Sequence, residues 1–206
     1  MSVRLPDPFI VEGAPGFTTG DLMSNHPIIQ DPLTDGRVLQ VDNGNQYWSI
    51  DITYPDLFPE EYSLVISAIE RAKATKDFID ILLPQYMHYR VVGDVGAAVI
   101  PAGQKSNTLR VTNVGQLGGI PLAGDLVQLL GSASRKVYRI TYVDTDVAGQ
   151  WTLGIYPDLQ AQTTGVEKPE FNNILFQTKM TDWNHKSSIN VDGMYTGVGF
   201  TFREAK

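Results

Sequence analysis

The chain has 206 residues with a net charge of −7, 42% hydrophobic and 19% charged residues, which is ordinary for a globular protein of one large or two small domains. The absence of cysteine excludes disulfides and thiolate chemistry and agrees with assembly in a reducing cytoplasm. The sequence contains no cluster of Lys and Arg of the kind that forms a nucleic-acid-binding face. No apolar run approaches the roughly 18 residues of a membrane span, and the first residues lack the apolar middle of a secretion signal, so we expect no membrane insertion and no such signal.

The first 35 residues hold five prolines and three glycines and show no long alternating pattern. We interpret this segment as an arm or a set of loops, with one short strand at residues 16–21. Residues 37–41 begin the ordered sheet. Asn43-Gly44 is typical of a two-residue hairpin loop because both positions accept positive φ, and such a loop pairs Leu39 with Trp48.

Residues 46–85 predict a strand, a helix and a second strand. In the first strand every second residue is apolar, which is typical of a half-buried strand, at Trp48, Ile50, Ile52 and Tyr54. Pro59 suits a first helical turn. An apolar stripe follows at helical spacing, at Tyr62, Val65, Ile66, Ile69 and Ala72. Residues 78–83 form the next strand, and the helix is expected to pack on a sheet that contains both strands.

Residues 91–165 show the pattern of a separate unit of short strands. Five strands are predicted, at residues 97–100, 108–113, 126–130, 136–143 and 150–156. The residues Asp144–Gly149 would join the last two as a hairpin. Five short strands within about 75 residues are typical of a small closed or nearly closed β-barrel of the OB or SH3 kind.

After residue 165 the pattern of the first part returns. A strand is predicted at residues 173–180, a polar loop with an exposed Trp183 at 181–193, and a last strand at 195–203. We therefore predict a mostly β fold in which a discontinuous outer domain, residues 1–90 and 166–206, is interrupted by an inserted domain, residues 91–165. The insert has five basic and five acidic residues and the outer domain has 11 and 18, so the net charge lies in the outer domain.

The sequence predicts no catalytic, cofactor-binding or metal-ligating residue. His26, His88 and His185 are never at the spacing of metal ligands, and no G-x-S-x-G nucleophile elbow is present. Gly197-Val-Gly199 lacks the third glycine and the following helix of a dinucleotide fingerprint, and the Gly-rich residues 115–124 lack the Lys-Ser/Thr pair of a P-loop. Asp144-x-Asp146-x-x-Gly149 lacks the Glu that closes a calcium loop.

Four aromatic residues of the insert leave two interpretations open: Tyr138, Tyr142, Trp151 and Tyr156. On the surface of a barrel they could stack on sugar rings or on bases. Their alternation along two strands explains them equally as core residues, and the core interpretation is favoured.

Several segments, in order along nearly the whole chain, carry a family resemblance. The run YWSIDITYPDLFPEEY at residues 47–62, followed by a helix and by DFIDILLPQY at 77–86, resembles the distal tail protein (Dit) family of siphophages, and is most similar to its T-five-like branch. Further matches are LPDP at 5–8, IPAGQK at 100–105, AGDL at 123–126, KVYRIT at 136–141, YPDL at 156–159 and TTGVEKPEFNNILFQTK at 163–179.

The resemblance implies a structural virion protein that is not an enzyme. It implies a tail-tube-like β-sandwich domain with one flanking α-helix, interrupted by an inserted OB-fold-like β-barrel. Such proteins are assembled in the host cytoplasm into hexameric rings at the distal end of the phage tail, between the tail tube protein and the tail tip or baseplate hub protein. DNA passes through the lumen without specific binding, and an acidic outer domain would keep it from the wall by like-charge repulsion.

Two further functions compete with the ring. The insert could serve the tail tip as a host-surface glycan- or receptor-binding module, because some members of the family carry carbohydrate-binding inserts. A cell-wall hydrolase would need a convergent acid–base set, which the sequence does not offer. Within a ring, residues 1–35 and 181–193 are predicted to reach neighbouring subunits, because neither shows its own packing signals, although 181–193 could equally be ordinary mobile surface.

Overall fold

The computed structural model describes residues 2–32, 38–42, 46–132, 135–183 and 187–205. The elements in chain order are β1 (Ser2–Arg4), β2 (Thr19–Asn25), β3 (Ile28–Pro32), β4 (Val38–Asp42), β5 (Tyr47–Thr53), α1 (Pro59–Thr75), β6 (Phe78–Leu82), β7 (Val92–Gly93), β8 (Thr108–Thr112), β9 (Leu117–Gly118), β10 (Leu126–Leu130), β11 (Val137–Asp144), β12 (Gln150–Tyr156), β13 (Lys168–Glu170), β14 (Leu175–Met180), β15 (Ser188–Ile189), β16 (Tyr195–Thr196) and β17 (Gly199–Glu204). Two short 3-10 turns lie at Pro84–Tyr86 and Val114–Gln116. The prediction of a mostly β fold is confirmed.

The chain divides into two compact units, which we name the first unit, Met1–Asp80 with Thr178–Ala205, and the second unit, Ile81–Gln177. The first unit is built on a six-stranded sheet to which both ends of the chain contribute, in the order β1-β6-β14-β17-β5-β2. Strand β1 runs parallel to β6, and β5 runs antiparallel to both β17 and β2. The predicted domain boundaries after residues 90 and 165 stay predictions.

Alternation buries one face of the central strand β5, as predicted. Trp48 and Ile50 are fully buried, whereas Tyr47 and Ser49 between them remain partly exposed. Phe202 of β17 lies opposite Ile50 and is also fully buried. The two neighbouring strands therefore contribute to one apolar face.

The predicted helix is confirmed as α1. Pro59 is its first residue, and the Glu61 carboxylate accepts a hydrogen bond from the Phe58 N–H at 2.9 Å, which satisfies one free donor of the first turn. The helix ends at Thr75, and the next residue, Lys76, adopts a left-handed conformation with φ 58° and donates its N–H to carbonyls of the last turn. The buried stripe consists of Val65, Ile69 and Ala72, and the helix packs against β1.

The predicted hairpin at Asn43-Gly44 is wrong. Those two residues lie outside the described part of the chain, but β4 pairs with β3, and Leu39 lies opposite Asp31. Trp48 lies opposite Ser24 of β2. Because β2 and β17 occupy both edges of β5, no edge of β5 remains for β4.

The first 35 residues are not an irregular arm where the structure describes them. They contain β1, β2 and β3, and β1 and β2 are the two edge strands of the six-stranded sheet. The predicted strand at residues 16–21 begins too early, since β2 is Thr19–Asn25. A short strand whose partner is distant in sequence leaves little local signal: Ser2 of β1 pairs with Phe78 of β6.

The second unit is built on a five-stranded antiparallel sheet in the order β13-β10-β11-β12-β8. Four of its strands are predicted ones, whereas residues 97–100 form only an isolated bridge between Val99 and Thr112. The fifth strand is β13, beyond residue 165, which the sequence did not predict. Among the described residues β8 and β13 are not paired with each other, so this sheet is open rather than closed. The OB-like class stays a prediction.

Glu167 fixes the loop that leads into β13. Its buried carboxylate accepts hydrogen bonds from the Thr164 N–H at 3.0 Å, the Thr164 hydroxyl at 2.8 Å and the Gly165 N–H at 2.9 Å. Burial acts against ionisation of this carboxyl, but the hydrogen bonds outweigh burial and hold the pKa of Glu167 below its ordinary value. The ionised form is therefore the one that stabilises the loop.

Replacing Glu167 by Gln is expected to lower the free energy of unfolding at neutral pH by about 1.5–3 kcal/mol, because charge-assisted hydrogen bonds are lost in a buried place. Since the folded pKa lies below the ordinary 4.5, the contribution is complete above that pH and is lost as the pH falls through the folded pKa. Urea unfolding of both proteins at neutral pH and at about pH 3 measures the effect. The difference in free energy of unfolding between the two proteins should be smaller at the lower pH. An equal difference at both pH values would contradict the stabilising role of the ionised Glu167.

Candidate functional site

His26 and His88, the two histidines that the structure describes, belong to different units. His26 follows β2 in the first unit, and His185 lies outside the residues that the structure describes. His88 approaches Asp125 with Nε2 3.8 Å from Oδ1, and the Arg90 guanidinium lies 3.3 Å from the same carboxylate. In the described ranges no group of three or more His, Asp or Glu residues could hold a metal ion. The expected lack of metal and catalytic residues stays a prediction.

The two glycine motifs have structural explanations. Gly197 has φ 67° and breaks the predicted strand at residues 195–203 into β16 and β17. A Cβ on Gly199 would lie 3.2 Å from the Ile52 carbonyl oxygen, so the small residue permits close strand packing. Gly119, in the Gly-rich stretch, has φ 79° and lies directly against the backbone of Arg90. These glycines permit turns and close backbone contacts.

The Asp144–Gly149 segment forms a hairpin turn between β11 and β12. The Asp146 N–H donates a hydrogen bond to the Asp144 carboxylate at 2.9 Å, and the Gln150 N–H donates to the Val147 carbonyl at 3.1 Å. The side chain of Asp144 thus closes the turn in the usual manner of Asx turns. The hairpin predicted for this segment is confirmed.

The four aromatic residues of the second unit do not share one exposed face. Trp151 is 5% exposed and Tyr138 is 3% exposed, and both belong to the apolar core. The Trp151 ring packs edge-on against Phe171, with centroids 6.1 Å apart. Tyr142 is 48% exposed and lies over Gly154. The core interpretation is therefore correct for the two buried rings, and no stacking platform with Trp151 is available for a glycan.

A small hairpin of β15 and β16 lies against the beginning of α1. The rings of Tyr62 and Tyr195 stack with centroids 3.9 Å apart, and Leu57 and Tyr195 exchange backbone hydrogen bonds of 2.9 and 2.8 Å. The hairpin carries two exposed apolar side chains, since Ile189 is 63% exposed and Val191 is fully exposed. The predicted polar loop at residues 181–193 therefore ends in a hairpin with a polar turn that holds one fully exposed apolar side chain, Val191.

The two edge strands of the first unit differ from each other. Strand β2 has seven residues and, within the described ranges, pairs only with β5, and its Met23 is 46% exposed. Strand β1, at the other edge, has three residues and pairs in parallel with β6. An open edge strand presents unpaired N–H and C=O groups, which makes it a natural surface for another chain.

Charge is distributed unevenly between the two units. The sequence places eight basic and 16 acidic residues in the first unit, and seven of each in the second. Three of the eight basic residues nevertheless line one open cleft of about 310 Å³ in the first unit. The lining residues are Lys73, Lys76, Asp77, Lys179 and Trp183. Sequence reasoning missed this cleft because Lys179 and Trp183 are about 100 residues from the helix end that they face.

The described part of the chain contains no helix that is long and apolar enough to cross a membrane.

Comparisons with known proteins identify the family of this chain. Two family models match in succession, "Distal tail protein pb9, A domain, N-terminal" over residues 5–86 and "Distal tail protein pb9, B domain" over residues 87–174. The chain is also 43% identical to distal tail protein pb9 of Escherichia phage T5 over 206 residues, which cover 98% of this chain and 100% of that protein. The predicted resemblance is confirmed: the chain belongs to the pb9 family of phage distal tail proteins, which are structural components of the virion tail and not enzymes.

Proposed function

We propose that the protein forms a homo-hexameric ring at the distal end of the phage tail. The ring joins the tail tube protein to the tail tip or baseplate hub protein, and DNA passes through its lumen. The observation that carries the proposal is the sheet of the first unit, whose two edge strands are unlike. A cyclic ring needs two different surfaces on each subunit, because each contact is heterologous.

The ring domain of this proposal consists of residues 1–90 and 166–206, and residues 91–165 form an inserted OB-fold-like domain. Support comes from the six-stranded sheet, in which β1 and β6 from the first part of the chain lie beside β14 and β17 from the last part. The five-stranded sheet supports a separate insert, because in the described residues none of its strands pairs with the six-stranded sheet. Its strand β13, Lys168–Glu170, lies beyond residue 165, the proposed end of the insert. The family match of the B domain at residues 87–174 covers the insert.

The acidic excess supports an unbound passage of DNA. The first unit has twice as many acidic as basic residues, so a lumen formed by it would repel phosphates rather than hold them. A basic wall would instead bind DNA through released counterions and slow its passage. We therefore place the first unit at the lumen and assign no specific DNA contact to the protein.

The proposal is tested by growing phage whose gene for this protein carries an amber codon, in hosts with and without a suppressor tRNA. Without suppression we expect particles that lack the tail tip, and with suppression we expect normal particles. Immunogold labelling of the normal particles should mark the distal end of the tail. Infectious, fully tipped particles that lack the protein would overturn the proposal, as would label elsewhere on the virion.

A further inference from the structure

The basic cleft at the end of α1 is built from residues of two distant parts of the first unit. Lys73 and Lys76 lie at the C-terminal end of the helix, and Lys179 comes from β14. All three lysines are exposed, and neither Lys73 nor Lys76 forms an ion pair with a described residue. Lys179 lies over the Phe78 ring with Nζ 4.9 Å from the centroid. Among the described residues that line the cleft Asp77 is the only acidic one, so the cleft is positive within an acidic unit.

The opposite end of the same helix carries acidic side chains, which are complementary in charge to the basic cleft. Asp56 and Glu60 are exposed and form no ion pair with any residue that the structure describes. Between them Phe58 is 59% exposed, which is unusual for a large apolar ring. Glu61 is already occupied by its hydrogen bond from the Phe58 N–H. This end therefore offers an aromatic side chain flanked by two free carboxylates.

The two ends cannot meet within one molecule. Helix α1 has 17 residues, and the 16 positions from Glu60 to Lys76 correspond to about 24 Å along the helix. A second copy can bring the acidic end of its helix to the basic end of the first, which is a head-to-tail contact between two unlike surfaces. Such a contact forms a ring when its repeated rotation closes, and an open helical filament when it does not.

We infer that the cleft of Lys73, Lys76, Lys179 and Trp183 receives the Asp56–Glu60 segment of a neighbouring copy of this chain. Phe58 enters the cleft beside Trp183, where a desolvated aromatic anchor contributes most of the affinity. Asp56 and Glu60 pair with the lysines at the rim, which fixes orientation and rejects a head-to-head arrangement by like-charge repulsion. This inference rests on the proposed ring and names the surface that one subunit uses to bind the next.

The contact is tested by cysteine cross-linking, because the chain has no cysteine of its own. Phage particles are assembled with the double variant Glu60→Cys, Lys76→Cys, oxidised mildly and analysed on a non-reducing gel. The two positions are too far apart for a disulfide within one chain, which needs Cα atoms within about 7 Å. We expect a ladder of covalent multimers that ends at six, and only monomer with the matched pair Glu60→Cys, Ser67→Cys, whose second residue is exposed in the middle of the helix.

Charge reversal provides the second measurement in case the cysteine variant does not assemble. Glu60→Lys is expected to lower the yield of infectious particles at least about tenfold, and adding Lys76→Glu should restore it to within about threefold of the original. Particles that contain a six-fold ring but give no multimers and no charge rescue would overturn this inference while the proposed ring stands. Particles without any ring would overturn the proposed function first, and this contact with it.

Discussion

Replacing Trp48 by alanine is expected to lower the free energy of unfolding by about 3–5 kcal/mol, the range for large aromatic residues removed from a packed core. Trp48 is fully buried in β5, the strand between β17 and β2. The backbone N–H of Trp48 donates a hydrogen bond to the buried Glu204 carboxylate at 3.3 Å. Collapse of the structure around the cavity left by alanine would also disturb that hydrogen bond. Urea unfolding followed by far-UV circular dichroism measures the change.

The matched control for Trp48 is its neighbour Tyr47, which lies on the other face of the same strand. The Tyr47 ring is partly exposed and carries the Arg203 guanidinium 3.6 Å from its centroid. Tyr47→Ala removes that contact but leaves no buried cavity, and is expected to cost about 1 kcal/mol. Equal losses at the two positions would contradict the placement of Trp48 in the core and of Tyr47 at the surface.

Replacing Gly119 by alanine is expected to destabilise the protein by about 2–4 kcal/mol, because two separate strains add. Gly119 has φ 79°, a conformation that a side chain with a Cβ rarely adopts. The added Cβ would also overlap the carbonyl oxygen of Arg90. The residues around Arg90 would have to move, and Arg90 itself pairs with Asp125. The same urea unfolding measurement reports the loss.

Gly115 supplies the control for Gly119 in the same Gly-rich stretch. No heavy atom lies within 4 Å of a Cβ built on Gly115, and its φ is not positive. Gly115→Ala is therefore expected to change the free energy of unfolding by no more than about 0.5 kcal/mol. A Gly119→Ala variant as stable as Gly115→Ala would show that the backbone near Arg90 is not packed as described.

Local patterns predicted the elements whose signal lies within their own residues. The helix α1 combined Pro59 with an apolar stripe at a spacing of 3.6, so two independent signals agreed. Strand β5 showed strict alternation, and its buried face followed directly from that. The structure confirms the helix and the strand. Each could be predicted because the spacing of its apolar residues determines which of its faces is buried.

Strand pairing was the part that local patterns could not predict. Asn43-Gly44 favours a tight turn, yet β5 pairs with β2 and β17, and the partners of one strand depend on every other strand that competes for its edge. Strand β1 pairs with β6 across more than 70 residues. Strand β13 contains only Lys, Pro and Glu, so it lacked the apolar alternation by which strands are recognised.

The candidate interaction surface was only partly accessible from the sequence. The charge difference between the outer segments and the insert follows from residue counts alone. The basic cleft required the fold, because Lys179 is brought to the end of α1 by the sheet rather than by proximity in the chain. Exposure of Phe58 likewise required the structure, since an apolar residue before a helix more often packs against it.

The central claim is that six copies surround a lumen with an acidic wall. A cryo-electron microscopy reconstruction of the distal tail end, calculated without imposed symmetry and fitted with this chain, tests it most directly. The account predicts six copies in one ring, with the first units at the channel and acidic side chains outnumbering basic ones on its surface. A different number of copies, or a channel surface from this chain that is neutral or basic, would contradict it.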